Sequence, residues 1–274
     1  MRKYMIGVVQ MDTRENKEEN LKSACALIDE AVAKGAKLVT FPEVFNVIDN
    51  GEEAPEEIPH GRTTALMSQK AKEHGIWIHC GSIAEVSEDG DRKKNTTVLL
   101  NPQGEVVAKY SKLHMFDITL PDGRQTMESA RYKPGTEMVH VETELGHFGL
   151  TICYDIRFPE LYRYLALQGA EVIFTPSNFT TPTGKDHWET ILKTRAIENG
   201  CYIVAAAQIG RKRGTSDSFG ASLVVDPWGT IISKANERAC VTMAEIDLHY
   251  VQQIRGRIPS LKNRRNDIYD TIKK

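Results

Sequence analysis

The sequence predicts a single α/β domain, of the α+β kind, in which two β-sheets form the core and helices cover them from outside. Residues 5–41 alternate strand, helix and strand, which is the pattern of a βαβ unit with both strands in one sheet. Later in the chain, hairpin-like strand pairs occur beside further strand–helix alternations, which fits two sheets better than one doubly wound sheet. We find no linker, low-complexity segment or internal repeat, so residues 1–274 are interpreted as one domain.

The composition is that of an ordinary globular protein, with 41% hydrophobic and 26% charged residues among 274. A net charge of −2 predicts no broad attraction to nucleic acid or to an anionic membrane surface. No apolar run reaches the length of a membrane span, and the N-terminal residues lead too quickly into a strand to form a signal peptide. These features predict a cytoplasmic protein whose partners include neither nucleic acid nor membrane.

The five cysteines are scattered along the chain, and no two of them are spaced as Cys-x-x-Cys. This distribution predicts neither a disulfide framework nor a zinc site, and it suits a reducing compartment. Histidines and carboxylates do not cluster at metal-ligand spacing either. We therefore expect no metal and no cofactor.

Apolar periodicity and helix-ending glycines predict the elements of the first half. A strand over 5–11 is followed by an amphipathic helix over 16–34, which Gly35 ends, and by a strand over 37–41. The acidic segment 45–61 is predicted as a solvated loop. The remaining elements are a helix over 63–72, a strand over 76–83, and strands over 95–101 and 105–110 around a turn at 101–104.

The second half begins with a long polar loop over 117–134. Strands are then predicted over 138–141, 147–152, 171–175, 201–208, 222–225, 230–233 and 241–247. Helices are predicted over 159–168, 187–199 and 248–255, and Gly200 caps the second of them. The basic end of the chain is predicted to be irregular.

The stretch 148–161 combines an apolar strand, a sharp polar turn and the start of a helix at Pro159. Cys153 stands where the strand ends, at the open edge of a sheet and near backbone N–H groups that favour an anion. Both features are expected to lower the pKa of the thiol and to make it nucleophilic. The alternative is a buried cysteine with a structural role.

Glu43 and Lys112 occupy the same kind of position as Cys153, at the end of a strand just before a loop. Sites form at this edge in open α/β sheets. A thiolate can attack a carbonyl carbon, a carboxylate can take up and return the proton, and an ammonium can stabilise the oxyanion. Taken one at a time, the glutamate is more often an exposed cap and the lysine a solvated side chain. No sequence feature places a histidine beside Cys153.

The chain contains three motifs that resemble the signatures of the nitrilase superfamily of carbon–nitrogen hydrolases. They are Leu-Val-Thr-Phe-Pro-Glu at 38–43, Tyr-Ser-Lys-Leu-His at 110–114 and Ile-Cys-Tyr-Asp-Ile-Arg-Phe-Pro-Glu-Leu at 152–161. They occur in the order of that family, and the resemblance runs over essentially the whole chain. It implies a four-layer α-β-β-α sandwich of the nitrilase type. It also implies a homodimer in which two such sandwiches pair through their helices.

The same resemblance implies a catalytic Glu-Lys-Cys triad and two supporting groups. Glu43 would be the general base and acid, Lys112 would stabilise the tetrahedral intermediate, and Cys153 would be the nucleophile. The backbone N–H of Tyr154 would be the second oxyanion donor, and Glu128 would correspond to the second glutamate that orients the lysine.

Within the family, the chain most resembles the Nit-type amidases, which act on deaminated glutathione or on ω-amides of α-keto acids. The matching stretches are 112–117, 153–161, 187–189, 195–198, 204–208 and 224–229. The last two favour the deaminated glutathione amidase branch over the omega-amidase branch. The resemblance implies thiol-dependent hydrolysis of a non-peptide amide bond in a small, carboxylate-bearing substrate, with release of ammonia through a cysteine acyl-enzyme.

A substrate carboxylate would be held well by a bidentate arginine, and Arg157 and Arg195 are the candidates. Each has a structural alternative, because Arg157 can pair with Glu160, and Arg195 with Glu198 or Glu189. The other predicted pocket residues follow a strand end or lie near the motifs, and they are Phe116, Ser177, Asn178, Phe179 and His187.

The chain departs from the branch at two places. It has Lys193-Thr194-Arg195-Ala196 where Arg-Ala-Arg-Ala is usual, and Gly220-Ala221-Ser222 where Gly-His-Ser is usual. These changes bear on the substrate and leave the reaction class intact. Two alternative functions are a nitrilase acting on a small nitrile, which uses the same triad, and a non-catalytic binding protein on the same scaffold. The second would be expected to lack a triad residue, and all three are present.

Overall fold

A computed structural model of the protein describes residues 3–48, 55–88, 90–119, 123, 125–212 and 217–269. The strands are β1 (Lys3–Gln10), β2 (Ala36–Thr40), β3 (Trp77–His79), β4 (Ile83–Glu85), β5 (Lys94–Leu100), β6 (Val106–Ser111), β7 (Asp117–Thr119), β8 (Gln125–Met127), β9 (His140–Thr143), β10 (Gly146–Leu150), β11 (Val172–Phe174), β12 (Tyr202–Ala205), β13 (Ile209–Gly210), β14 (Ser218–Phe219), β15 (Leu223–Val225), β16 (Ile231–Lys234) and β17 (Cys240–Asp247). The α-helices are α1 (Lys17–Ala33), α2 (Arg62–His74), α3 (Pro159–Leu167), α4 (Thr181–Thr183), α5 (Glu189–Asn199), α6 (Leu248–Arg257) and α7 (Asn266–Tyr269). Short 3₁₀ segments cover Glu128–Ala130 and Cys153–Arg157, and a π-helical turn covers Gly184–Trp188.

Two sheets form the centre of the molecule. The first has the order β17-β1-β2-β3-β5-β4, with β6 paired to β5, and the second has the order β16-β15-β12-β11-β10-β9. In each sheet three parallel strands, β1-β2-β3 and β10-β11-β12, are flanked by antiparallel ones. The carboxyl ends of the parallel strands, where sites commonly form, therefore lie together at one edge of each sheet.

Side chains that alternate along the strands separate two apolar cores. Leu38 belongs to the core between the sheets, together with Phe148 and Leu150 of β10. Its neighbour Val39 points the other way and packs with Ile28 of α1. Helices α1 and α2 thus cover the first sheet, while α3 and α5 cover the second. The result is the four-layer α-β-β-α sandwich that the family resemblance implies, so the predicted fold is confirmed.

Three predicted elements are corrected. The single strand over 76–83 is wrong: it is divided into β3 and β4, because Gly81 turns the chain with a φ of 39°. The predicted loop over 117–134 contains the hairpin β7–β8 and a 3₁₀ turn. The helix predicted over 187–199 begins earlier, because α4 and the π-helical turn run directly into α5.

Two other predicted irregular segments agree with the structure only in part. The basic end contains the short helix α7. The described parts of the acidic segment, 45–48 and 55–61, contain no helix or strand, and positions 49–54 lie outside the described residues. The prediction that the segment is solvated is wrong for Phe45, Asn46, Val47 and Glu56, which are buried. Over the described ranges, no helix combines the length and the apolarity that a membrane crossing would need.

Candidate active site

The residues of the candidate site lie close together, each just after the end of a strand. Glu43 lies just beyond β2, Lys112 directly follows β6, Cys153 lies beyond β10, and Asn178 lies beyond β11. Strands β2 and β6 belong to the first sheet, and β10 and β11 to the second. The structure therefore brings together three residues that the sequence separates by 110 positions, from 43 to 153.

Cys153 begins a 3₁₀ segment and has a φ of 48°, in the left-handed region that a residue with a Cβ rarely adopts. Its backbone N–H donates to the carbonyl of Pro176 at 2.9 Å, which fixes this turn against the end of β11. The side chain is buried, with 8% of its residue surface exposed. The strained turn presents the thiol at the edge of the sheet.

The expectation that the surroundings lower the thiol pKa is wrong. Burial, and after it the nearby Glu43 carboxylate, raise the pKa of Cys153 well above its usual range. Lys112 and the backbone N–H of Asn178 oppose this shift but do not outweigh it. The resting residue is therefore a neutral thiol at neutral pH, and it needs a base in contact with it to become a nucleophile.

Glu43 is a buried carboxylate with a partner on each oxygen. Its Oε1 accepts from Lys112 Nζ at 3.0 Å and from Asn95 Nδ2 at 2.9 Å. Its Oε2 accepts from the backbone N–H of Asn178 at 2.8 Å. The donors fix the plane of the carboxylate beside the thiol.

Lys112 is almost completely buried, with 2% of its surface exposed, and it lies between two carboxylates. Its Nζ is 3.0 Å from Glu43 Oε1 and 2.9 Å from each oxygen of Glu128. Burial acts to lower its pKa, but the two carboxylates raise it well above the ordinary value. Lys112 therefore carries a full positive charge at neutral pH, close to the sulfur.

Glu128 starts the 3₁₀ turn that follows the hairpin β7–β8. Besides its paired contacts with Lys112, its Oε2 accepts from the backbone N–H of Phe116 at 2.6 Å. The residue therefore lies in the same cluster as Glu43 and Lys112, and its carboxylate is a second ionic partner of the ammonium.

Asp155 is a fully buried carboxylate that sequence reasoning did not single out. It accepts from Tyr110 Oη at 2.6 Å, from the backbone N–H of Ile152 at 2.9 Å, and from the backbone N–H and Nδ1 of His114 at 3.1 and 2.7 Å. Residues 110 and 114 flank Lys112, and residues 152 and 155 flank Cys153. This one side chain therefore connects the segment around Lys112 to the segment around Cys153. Its position two residues after the cysteine was the sequence feature that could have indicated this role.

The loop that carries Glu43 is held by residues that are distant from it in the sequence. Gln208 Nε2 donates to the backbone carbonyl of Glu43 at 3.0 Å and to Thr13 Oγ1 at 2.8 Å. Val44 has a φ of 48°, and its N–H donates to Ser82 Oγ at 2.9 Å. The turn after Glu43 is thus held in a strained conformation by contacts with both sheets.

The two candidate arginines have different surroundings. Arg157 Nη2 is 3.3 Å from His187 Nδ1, and its guanidinium lies over the rings of Tyr154 and Phe179 at 5.9 and 5.6 Å. It has no carboxylate partner among the described residues. Its predicted alternative partner, Glu160, makes no such contact.

Arg195 is buried, and it pairs with Glu198, which is the structural alternative to a substrate contact. It donates to the carbonyl of Ile156 at 2.9 Å and to Glu198 Oε1 at 2.8 Å, and it lies over the ring of Tyr162. These contacts tie α5 to the 3₁₀ segment that begins at Cys153.

Of the remaining predicted pocket residues, two are held by hydrogen bonds and two pack against other aromatic rings. Ser177 is fully buried and its Oγ donates to the carbonyl of Thr175, so its side chain belongs to the strand end. Asn178 contributes its backbone N–H to Glu43, and its Oδ1 accepts from Ser218 at 2.6 Å. Phe179 packs on Trp188, and the rings of Phe116 and Tyr154 meet edge to face with 5.1 Å between their centroids.

Tyr154 is the second residue of the 3₁₀ segment, directly after the thiol. Backbone N–H groups in a first turn have no acceptor within their own helix. The predicted oxyanion donor is therefore adjacent in the chain to the predicted nucleophile.

One cluster away from this site has the composition of a metal site. Asp29, Glu73 and His74 come close together on α1 and α2. The ammonium of Lys70 already lies among them, 2.7 Å from Asp29 and 3.0 Å from Glu73. A cation therefore already neutralises these carboxylates, and the expectation that the protein uses no metal stays a prediction.

Comparison with known proteins adds independent information. The family model described as carbon-nitrogen hydrolase matches residues 5–256. The deaminated glutathione amidase of Mus musculus is 42% identical over 98% of this chain and 85% of the relative, and that of Synechocystis sp. is 40% identical over 96% and 99%. The omega-amidase NIT2 of Xenopus tropicalis is 38% identical over 100% of this chain and 99% of the relative.

Solved structures agree with these matches. The NitFhit protein of C. elegans superposes with a TM-score of 0.91 at 38% identity, covering 98% of this chain and 66% of that one. Nit3 of Saccharomyces cerevisiae, described as a member of branch 10 of the nitrilase superfamily, gives 0.87 at 30% identity, covering 96% and 97%. The likeness extends over nearly the whole chain in both cases.

Proposed function

Because this chain belongs to the carbon–nitrogen hydrolase family, we propose that Glu43, Lys112 and Cys153 hydrolyse the amide bond of a small, carboxylate-bearing substrate through a cysteine acyl-enzyme. The resemblance of its motifs to the nitrilase superfamily is confirmed, and so is amide hydrolysis as the reaction class. The observation that supports the catalytic assignment is the buried ion pair of Glu43 with Lys112, whose charges both act on the Cys153 thiol.

The proposed reaction starts from the neutral thiol. Glu43 takes the proton from Cys153 as the sulfur attacks the amide carbon, and a tetrahedral oxyanion forms. Lys112 and the N–H of Tyr154 stabilise that oxyanion. Glu43 then gives its proton to the leaving nitrogen, which departs as an amine, or as ammonia from a primary amide.

The thioester that remains is cleaved by water. Glu43 accepts a proton from the water while the oxygen of that water attacks the thioester carbonyl. The Cys153 thiolate then leaves, and Glu43 returns the proton to it. The products are the carboxylic acid and the free thiol. Lys112 stays an ammonium throughout, because its pKa is raised by the carboxylates on either side, and Glu128 keeps its Nζ in place.

For the substrate we propose deaminated glutathione, with an ω-amide of an α-keto acid as the second choice. The names of the similar curated proteins support this class. Arg157 is the proposed partner of the substrate carboxylate, since it has no carboxylate partner of its own in the described part of the chain and lies beside Tyr154 and Phe179. Arg195 is left out of the proposed contacts, because its donors already bind Ile156 and Glu198.

Assays of the purified protein on deaminated glutathione, a primary ω-amide of an α-keto acid and an aliphatic nitrile test this proposal. We expect the amides to be hydrolysed, with ammonia from the primary amide, and the nitrile to be left intact. Cys153→Ala should lower kcat by a factor on the order of 10³ or more, because no nucleophile remains.

Cys201→Ala is the matched control, since Cys201 is also a buried free cysteine but lies at the end of α5. It should keep its activity. Nitrile turnover by the wild type would favour the nitrilase alternative, and no turnover of any of the three substrates would favour the non-catalytic one. Amide hydrolysis that survives Cys153→Ala would contradict the proposed nucleophile.

We also propose that the protein is a homodimer of one-domain subunits, paired through its outer helices. Exposed apolar side chains support this assembly: Leu167 ends α3, and Ile197 of α5 is 56% exposed. Sedimentation equilibrium should give twice the mass of one chain, and Ile197→Asp should shift it toward the monomer. A mass of one chain at every concentration would contradict the dimer.

A further inference from the structure

The side chain of Asn95 lies between the two carboxylates of the site, and the reaction described above gives it no part. Its Nδ2 donates to Glu43 Oε1 at 2.9 Å and to Glu128 Oε1 at 3.4 Å. Its backbone carbonyl accepts from the backbone N–H of Lys112 at 2.8 Å. With 2% of its surface exposed, Asn95 is thus a buried point of contact with all three residues.

The charges around Asn95 explain what an amide supplies there. Glu43 and Glu128 bring two negative charges to one buried volume, and Lys112 brings a single positive charge between them. The amide nitrogen has two hydrogens, which suffices for one hydrogen bond to each carboxylate. A neutral donor supports both ionised groups without adding a second cation that would compete with Lys112 for Glu43.

The position is a poor one for asparagine on grounds of stability alone. Asn95 lies in the buried strand β5, among threonine, valine and leucine, and asparagine is disfavoured in strands. Its Oδ1 is buried without a hydrogen-bond partner, which destabilises the folded state. A residue that breaks local rules inside a site points to a functional reason for its presence.

We propose that Asn95 is a positioning residue for the hydrolysis proposed above: its amide holds the carboxylates of Glu43 and Glu128 in place, so that Glu43 stays oriented toward the Cys153 thiol. Oε1 of Glu43 accepts from Lys112 and from Asn95, and Oε2 accepts from the N–H of Asn178. Without Asn95 only one contact would remain on each oxygen, so the carboxylate would have more freedom to move away from the thiol.

Two substitutions test this role. In Asn95→Ala both donors are lost, so we expect kcat to fall about tenfold while KM changes less than about twofold. The fall in kcat at a nearly unchanged KM is the expected signature, because a less firmly held Glu43 slows proton transfer from the thiol without changing how the substrate binds. Asn95→Ser keeps one hydroxyl donor, which can serve only one carboxylate, and it should give intermediate values.

Asn199→Ala is the matched control. Asn199 is also fully buried, also has an unpaired Oδ1, and donates only to the carbonyl of Arg195 at the end of α5. It should lower the melting temperature without changing kcat. If Asn95→Ala likewise changes only the melting temperature, the positioning role is overturned.

The rate at which iodoacetamide alkylates Cys153 at pH 7 gives a readout that needs no substrate. Asn95→Ala should slow this alkylation about tenfold, because Glu43 is no longer held where it can take the proton of the thiol. A slower rate would support the role of Asn95 even if no amide were hydrolysed, which would count against the proposed function alone. An unchanged alkylation rate would overturn the role of Asn95 even in an active enzyme.

Discussion

At the scale of single residues, Gly81 shows how a position without chemistry of its own can control the site. It lies between β3 and β4 with a φ of 39°, directly under the turn that leads to Glu43. A Cβ at this position would lie 2.6 Å from the carbonyl oxygen of Phe41 and closer still to that of Pro42. The backbone before Glu43 therefore occupies the space that any other residue would need.

Gly81→Ala is expected to push residues 41–43 away and to lower both stability and kcat. The clash and the left-handed φ together should reduce the free energy of unfolding by about 2–4 kcal/mol, measured by urea denaturation. Gly75→Ala is the control, because Gly75 has a φ of 60° but open space around its Cα. It should cost about 1 kcal/mol and leave kcat unchanged. Equal effects of the two substitutions on kcat would refute the argument.

The residues predicted from sequence are those whose chemistry is visible in the side chain. Glu43, Lys112 and Cys153 each end a strand and each supply a different reactive group, so position and chemistry point the same way. Asn95 gave no such signal, because an amide inside a buried strand has no obvious reactivity. Its role depends on contacts with Glu43 and Glu128, 52 and 33 positions away, which periodicity does not reveal.

At the scale of elements, the helices and strands with a clear apolar face were predicted to within a few residues. Helix α1 is buried on one side and shows a helical period, whereas strand β1 is buried on both faces along its second half and shows a continuous apolar run. The hairpin β7–β8 was missed because its side chains are mostly exposed and show no alternation. The π-helical turn over Gly184–Trp188 was missed because hydrogen bonding, not apolar spacing, distinguishes it from an α-helix.

The arrangement of the two sheets relative to each other could not be predicted from local sequence patterns either. Two sheets were predicted, but the side of the sandwich on which each strand ends depends on pairings such as β1 with β17, whose residues are about 240 positions apart. The four-layer order came from the family resemblance. What the residues alone established was that reactive groups stand at strand ends, and the topology then placed those ends together.

At the scale of the whole molecule, His79 joins the two sheets. Its ring nitrogens are 2.8 Å from Thr40 Oγ1 and 3.0 Å from Thr97 Oγ1, within the first sheet. The ring itself stacks on Phe174 of the second sheet, with 4.5 Å between centroids. Complete burial lowers the pKa of His79 to about 3, so the folded protein holds a neutral imidazole at its centre.

This arrangement predicts a loss of stability in mild acid. Below about pH 6.5 the unfolded chain binds a proton at His79 and the folded chain does not, so stability falls with pH until about pH 3, where both forms are protonated. Between pH 7 and pH 5 this residue alone should remove about 2 kcal/mol from the free energy of unfolding. In urea denaturation at the two pH values, His79→Gln should lose about that much less than the wild type, since glutamine does not titrate. The exposed His249 serves as the control, and His249→Gln should leave the difference unchanged. If His79→Gln and the wild type lose the same free energy between pH 7 and pH 5, the neutral buried imidazole is not what couples the sandwich to pH.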